Sequence, residues 1–203
     1  MTAEGNIADA HRFDAALRRF DEENGRDPNL AVVDGKSVPR ELAYARWLSE
    51  WVLRLDPRAS EPLRLAARCQ HLSRWMMPRS SYPMTRAGYL RWREDLKRFH
   101  ARRAGEILRG VGYPEDVISR VQRLNLKADF PEDPESRVLE DALCLVFLER
   151  QLRELADKTS DDKVINALQK SWTKMTAAGR AAALKLSYAP RERALLDKAL
   201  AEG

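Results

Sequence analysis

The stretch TRAGYLRWREDLKRFHARRAGEILR, residues 85–109, decides the fold class. Thr85 is a residue type that accepts a hydrogen bond at a helix start. Behind it Leu90, Leu96, Phe99, Ala104, Ile107 and Leu108 are apolar among charged residues, some of them three or four apart, as in an amphipathic helix. Gly110-Val111-Gly112-Tyr113-Pro114 then breaks the pattern.

The same reading extends outward in both directions. Toward the N-terminus, residues 8–21 form a helix with Phe13, Leu17 and Phe20 on one face, stopped by Asn24-Gly25. Residues 26–39 read as a loop, with Asp27-Pro28 and Asp34-Gly35 as turn signals and pairing of the short run Leu30–Val33 as a strand the less favoured alternative. Pro39 starts a helix at the favoured first-turn position, running to about residue 55. Ser60 caps the next, which the spacing carries to about residue 75, followed by a loop over 76–84. Toward the C-terminus, helices are expected over 115–124, 135–157, 161–172, 177–186 and 190–200. No segment alternates like a strand with hairpin turns. The expected fold is all-α, one domain over residues 1–203.

At 203 residues with 44% hydrophobic and 33% charged side chains, the chain can bury a good core and is not a disordered composition. No apolar run approaches the roughly 20 residues that cross a bilayer, and Met1-Thr2-Ala3-Glu4-Gly5 does not start like a secretory leader. Cys69 and Cys144 lie inside apolar helical patterns without CxxC spacing, which suits buried thiols and a cytoplasmic setting. The net charge is +5, unevenly placed. Between Arg64 and Arg109 twelve Lys and Arg stand against Glu94, Asp95 and Glu106, so this segment carries +9 and the rest −4. Such an excess points to an anionic partner, a phosphorylated metabolite or RNA, or to a solvated helix face.

Polar residues interrupt the apolar stripes at a few positions. His71 shares a helical face with Ala67 and Trp75, His100 with Leu96, Ala104 and Ile107, and Asp141 with Val138, Leu145 and Leu148. Glu41 lies on the side of Ala45 and Leu48. A carboxylate buried alone is costly, so Asp141 requires a cation, a metal or strong donors. The plain alternative for each is a satisfied core residue, with Asp141 tied to an Arg such as Arg46 or Arg74. No Walker loop, GxGxxG, HExxH or CxxC is present.

Ala66-Ala67-Arg68-Cys69-Gln70-His71-Leu72-Ser73-Arg74 resembles the motif helix of the HD-domain metal-dependent phosphohydrolase superfamily. His100-Ala101, Ala104, Ile107-Leu108 and Gly112-Tyr113-Pro114 resemble its following segment, and Glu140-Asp141-Ala142-Leu143 its closing helix, over about residues 39–157. The defining His-Asp pair is Gln70-His71 here, and Glu41 stands where the first-helix His would be. The whole chain also resembles a bacterial family of unknown function that shares its Gln-His, Pro-Arg-x-x-Tyr-Pro, Trp-Arg and Glu-Asp-Ala-x-Cys stretches.

The superfamily resemblance implies an HD-like helical bundle with helices 8–21 and 161–200 packed around it. It implies that Glu41, His71 and Asp141 hold a divalent ion (Mn, Fe, Co or Zn), with His100 as a fourth ligand or a base. The ion would activate a water against a phosphorylated small molecule or nucleotide. Arg74, Arg79, Arg93 and Lys97 would grip phosphate, and Tyr82, Trp75 or Trp92 would stack on a base. The alternative is a catalytically silent HD-like module that binds an anionic ligand or RNA through its basic region. The C-terminal helices would either finish the core or form a homodimer contact.

Overall fold

In the computed structural model, which describes residues 7–201, ten α-helices and one two-stranded hairpin account for the regular structure. The chain divides into two compact units, residues 1–136 and 137–203, with the boundary inside one helix.

The first unit begins with α1, Ala10–Asn24, whose N-cap Asp9 accepts from the Arg12 backbone N–H. Residues 30–39 depart from the expected loop. Leu30–Val33 (β1) pairs antiparallel with Lys36–Pro39 (β2), through a turn in which Asp34 and Gly35 both have positive φ. The Asp-Gly pair that reads as a loop signal is equally a hairpin signal, because such a turn needs two left-handed residues. Helix α2 then runs Arg40–Leu55, so Pro39 is the residue before the helix rather than its first. Pro39 has no side chain to cap with. Asp27 serves from a distance, its Oδ2 accepting the Glu41 backbone N–H at 3.0 Å.

Helix α3, Glu61–Cys69, is capped by Ser60 as expected. It stops six residues short of the expected end at 75. Ser73 is left-handed (φ 55°) and fully buried, held through its Oγ by Glu23 Oε1 at 2.7 Å and through its N–H by Asn24 Oδ1 at 3.4 Å. Those α1 side chains hold the chain in a turn that local spacing reads as more helix. Tight 3₁₀ turns at Arg74–Met76 and Arg79–Ser81 lead to the long α4, Arg86–Val111, capped by Thr85 and closed by left-handed Gly112. Gly88 permits a close approach there, since a Cβ on it would lie 2.1 Å from the Pro83 carbonyl oxygen. Helix α5 is Glu115–Leu126. The core of this unit gathers Phe13, Phe20, Leu48, Leu63, Leu72, Leu108, Ile118 and Leu124, all buried.

Helix α6, Pro134–Val146, crosses the boundary and passes through one π-helical turn, Phe147–Gln151, into α7, Leu152–Lys158. Helices α8 (Asp161–Lys174), α9 (Ala177–Leu184) and α10 (Pro190–Ala201) complete the second unit. Its core includes Leu145, Leu152, Val164, Leu168 and Leu196. Both cysteines are buried free thiols; Cys69 Sγ accepts from Asn125 Nδ2 at 3.1 Å. Among the described residues no helix is long and apolar enough to cross a membrane.

Candidate functional site

Glu41, His71, Arg74 and His100 come together in the first unit, from three different stretches of chain. Glu41 lies in the first turn of α2, and its side chain is turned inward with only 9% of its surface exposed. His71 occupies the turn after α3 rather than a helix, so the shared face with Ala67 and Trp75 expected for it does not exist. It nevertheless meets Glu41, with Nδ1 3.4 Å from Oε2. Its ring stacks on Tyr44, centroids 4.2 Å apart, and keeps 23% of its side-chain surface exposed. Solvent reaches His71 more than Glu41 or His100, and Arg74 at the edge more still, at 34%.

His100 is deeper, 3% exposed on the inner face of α4, with its ring centroid 5.8 Å from that of His71. Its Nδ1 lies 2.7 Å from the Leu72 carbonyl oxygen. A carbonyl only accepts, so in the neutral ring Nδ1 carries the proton and Nε2 holds a bare lone pair. That Nε2 is buried without a hydrogen-bond partner, and so is Glu41 Oε2. Buried polar atoms are ordinarily satisfied, so two such atoms in one cluster mark it out.

The electrostatics follow from burial inside a cationic rim. Burial raises the Glu41 carboxyl to about 7, against the pull of Arg74, whose Nε stands 3.8 Å from Oε1; Asp27 raises it further. Burial likewise drives His100 down to about 3, with His71 adding to the effect. His71 is held well below 6.5 by burial, then by the positive charges of Arg74, Lys127 and Arg93. Near neutral pH both imidazoles are uncharged and the carboxyl is poised between its two forms.

Arg74 has a second contact beside the cluster, and the other expected site residues of this region are bonded to partners of their own. The Arg74 guanidinium lies over the Trp92 ring at 5.1 Å, beside the cluster. Arg79 gives its N–H groups to the carbonyls of Tyr82, Pro83 and Thr85, which pins the 79–85 loop. Tyr82 donates its hydroxyl to Asp95 at 3.1 Å, and Lys97 pairs with Glu94 at 2.7 Å. Arg93 is exposed and reaches the Tyr89 hydroxyl at 3.4 Å. Trp92 is buried, its indole N–H bound to the Met77 carbonyl.

Asp141 lies in the second unit, 3% exposed. The Thr176 backbone N–H donates to Oδ1 at 2.8 Å, and the Thr176 hydroxyl donates to Oδ2. These are the strong donors that a buried carboxylate requires. Residue 179 has to be glycine here, because a Cβ on it would sit 2.5 Å from the Asp141 carboxyl carbon. Asp141→Ala is expected to cost about 2 kcal/mol by leaving the Thr176 donors and a cavity behind. Urea unfolding would measure this, and a cost under half that size would show the Thr176 contact to be incidental.

The donor set does not fit the divalent ion that the resemblance implies. Among the described residues no three His, Cys, Asp or Glu side chains group at metal-ligand spacing, and both Asp141 oxygens already accept from Thr176. Sequence reasoning missed Tyr44 and Lys127 around His71 and Asp27 beside Glu41. Tyr44, three residues after Glu41 on α2, was within reach of helical spacing; no spacing rule points to Asp27 or Lys127, which act from a loop and a left-handed helix end.

The family model described as a domain of unknown function, DUF4202, matches residues 14–196. No curated protein and no solved structure matches the chain significantly.

Proposed function

From the premise that the chain belongs to the DUF4202 family, we propose that it is an HD-like helical module binding a phosphorylated small molecule or nucleotide at the face around His71. The observation that carries this is Arg74, 3.8 Å from Glu41, beside a partly exposed imidazole on which the charges of Arg74, Lys127 and Arg93 all act. The acid beside Arg74, Glu41, is held toward its neutral form by burial. A cationic rim over a nearly uncharged floor favours an anion, and Arg74 and Arg93 offer the planar fork that suits phosphate. Inside the rim, His100 Nε2 accepts a hydrogen bond from a hydroxyl or amine of the ligand, and protonated Glu41 donates one.

Hydrolysis of the HD type needs a metal that the donor set does not fit, so the proposed role is binding.

The test is calorimetric titration of the full chain with inorganic phosphate, a sugar phosphate and AMP at low salt. Saturable binding is expected, weakened about tenfold in Arg74→Ala and in Arg93→Ala, the size of one charged hydrogen bond. Relative to Glu41→Gln, which meets the same change in phosphate charge, the parent's affinity should fall as pH rises through 7, as the Glu41 carboxylate forms and repels the anion. Absence of binding to all three ligands, or binding indifferent to Arg74, would sink this reading.

A further inference from the structure

The exposed apolar surface of the chain is unevenly spread. Met76, Met84, Tyr89 and Leu90 are all exposed, whereas the other large exposed apolar side chains among the described residues are Leu30 and Val32 on the hairpin and Leu184 on α9. Met84 and Leu90 keep 80% and 56% of their surface. Concentrations of this kind on a folded surface mark contact sites.

The backbone that presents them is well held. The Trp92 indole N–H binds the Met77 carbonyl at 2.9 Å, and Tyr82 binds Asp95. Arg79 donates to the Pro83 and Thr85 carbonyls at 2.7 and 3.3 Å, and the bare Cα of Gly88 lets Pro83 settle against α4. The charge here is mostly of one sign, with Asp95 of the same helix standing 3.9 Å from Arg91. Residues 76–93 contain Arg79, Arg86, Arg91 and Arg93 and no acid, and the last three of these arginines are exposed.

We propose that this face, the start of α4 with the loop before it, docks an acidic amphipathic helix of a partner protein. The partner's apolar side chains would cover Met84, Tyr89 and Leu90, and its carboxylates would meet Arg86 and Arg91. The chemistry of the patch selects this occupant. A second copy of the chain would bring the same arginines face to face. Single-stranded RNA binds by stacking on aromatic rings, yet three of the four exposed side chains are aliphatic. The fourth, Tyr89, has the Arg79 and Arg93 guanidiniums 6.0 and 5.8 Å from its ring centre. Flexible Met and Leu side chains beside cations suit an amphipathic helix with an acidic face. The inference goes beyond the anion site at His71 and does not rest on it.

The experiment is fluorescence anisotropy of a labelled peptide of about 18 residues, long enough to hold a helix, with Leu along one face and Glu elsewhere. The full chain is expected to bind it saturably, with affinity falling as salt rises. Met84→Ser/Leu90→Ser should weaken binding about tenfold, and Arg86→Ser/Arg91→Ser by a similar factor. All four positions are exposed, so both variants should keep the parent circular dichroism spectrum, and neither should change phosphate binding at Arg74. The proposal is overturned by absence of binding, or by binding that ignores the apolar substitutions. It is equally overturned if a uridine oligonucleotide or phosphatidylserine vesicles bind this face more tightly than the peptide.

Discussion

Glu23→Ala is expected to lower the stability of the chain by about 3 kcal/mol, toward the lower end of what breaking a buried ion pair costs. Glu23 is 7% exposed at the end of α1, and its Oε1 accepts from three donors: Ser73 Oγ at 2.7 Å, Arg103 Nη2 at 3.0 Å and Arg103 Nε at 3.2 Å. Its Oε2 accepts from Arg26 at 3.2 Å. Truncation leaves the Ser73 hydroxyl buried without its acceptor, while Arg103, 38% exposed, turns to water and Glu106. The cost also reaches the site, because Ser73 sets the turn that carries His71 and Arg74. Amide exchange in residues 70–77 should accelerate in the variant, together with the loss in urea midpoint. Burial alone would raise the Glu23 carboxyl; the hydrogen bonds from Ser73 and Arg103 outweigh it and lower the carboxyl below 4.5. The contribution is therefore present above pH 4.5 and lost as pH falls through the lowered value. Equal stability of parent and variant at pH 7 would contradict this account.

Glu41→Gln is expected to stabilise the chain at high pH and leave it unchanged at low pH. In the folded chain the Glu41 carboxyl titrates near 7 rather than 4.5, a displacement worth about 3 kcal/mol. Below pH 4.5 the group is protonated in both folded and unfolded chains. Between 4.5 and 7 the unfolded chain releases its proton first, so the stability drawn from this group declines, and above 7 that loss is complete. His71 and His100 act in the opposite sense. Their folded values lie below 6.5, so their contribution is present above 6.5 and lost on acidification. The difference between Glu41→Gln and the parent isolates the carboxyl. It should grow from near zero at pH 4.5 to about 3 kcal/mol in favour of the variant at pH 8. A difference that does not vary with pH would mean that Glu41 titrates normally.

The two substitutions probe opposite kinds of burial. Glu23 is ionised and paid for by donors on every side, so its removal destabilises. Glu41 is buried with one oxygen unpartnered and a weak ion pair, so losing its charge relieves the fold. Carboxylates kept in that second condition are found where a ligand is handled rather than where a fold needs a tie.

Much of the helical framework was legible because it depends on neighbours in sequence. Ser60 and Thr85 cap α3 and α4, Leu96 and Ala104 turn inward with His100, and the breaks at Gly112 and Asp56 fall near where residue type puts them. Helix caps, helix breakers and the three-to-four periodicity each act within a turn of the chain, so the sequence by itself determined the helical class and the inward placement of Glu41, His100 and Asp141. Tertiary structure decided the rest. It ended α3 at Cys69 through a Glu23–Ser73 bond between residues 50 apart, which freed His71 from a helix and brought it to Glu41. It gave Asp141 to Thr176, 35 residues away, and set Arg74 beside Glu41. A buried polar group demands a partner, and its spacing in sequence says that one must exist; which one it finds depends on how distant helices pack.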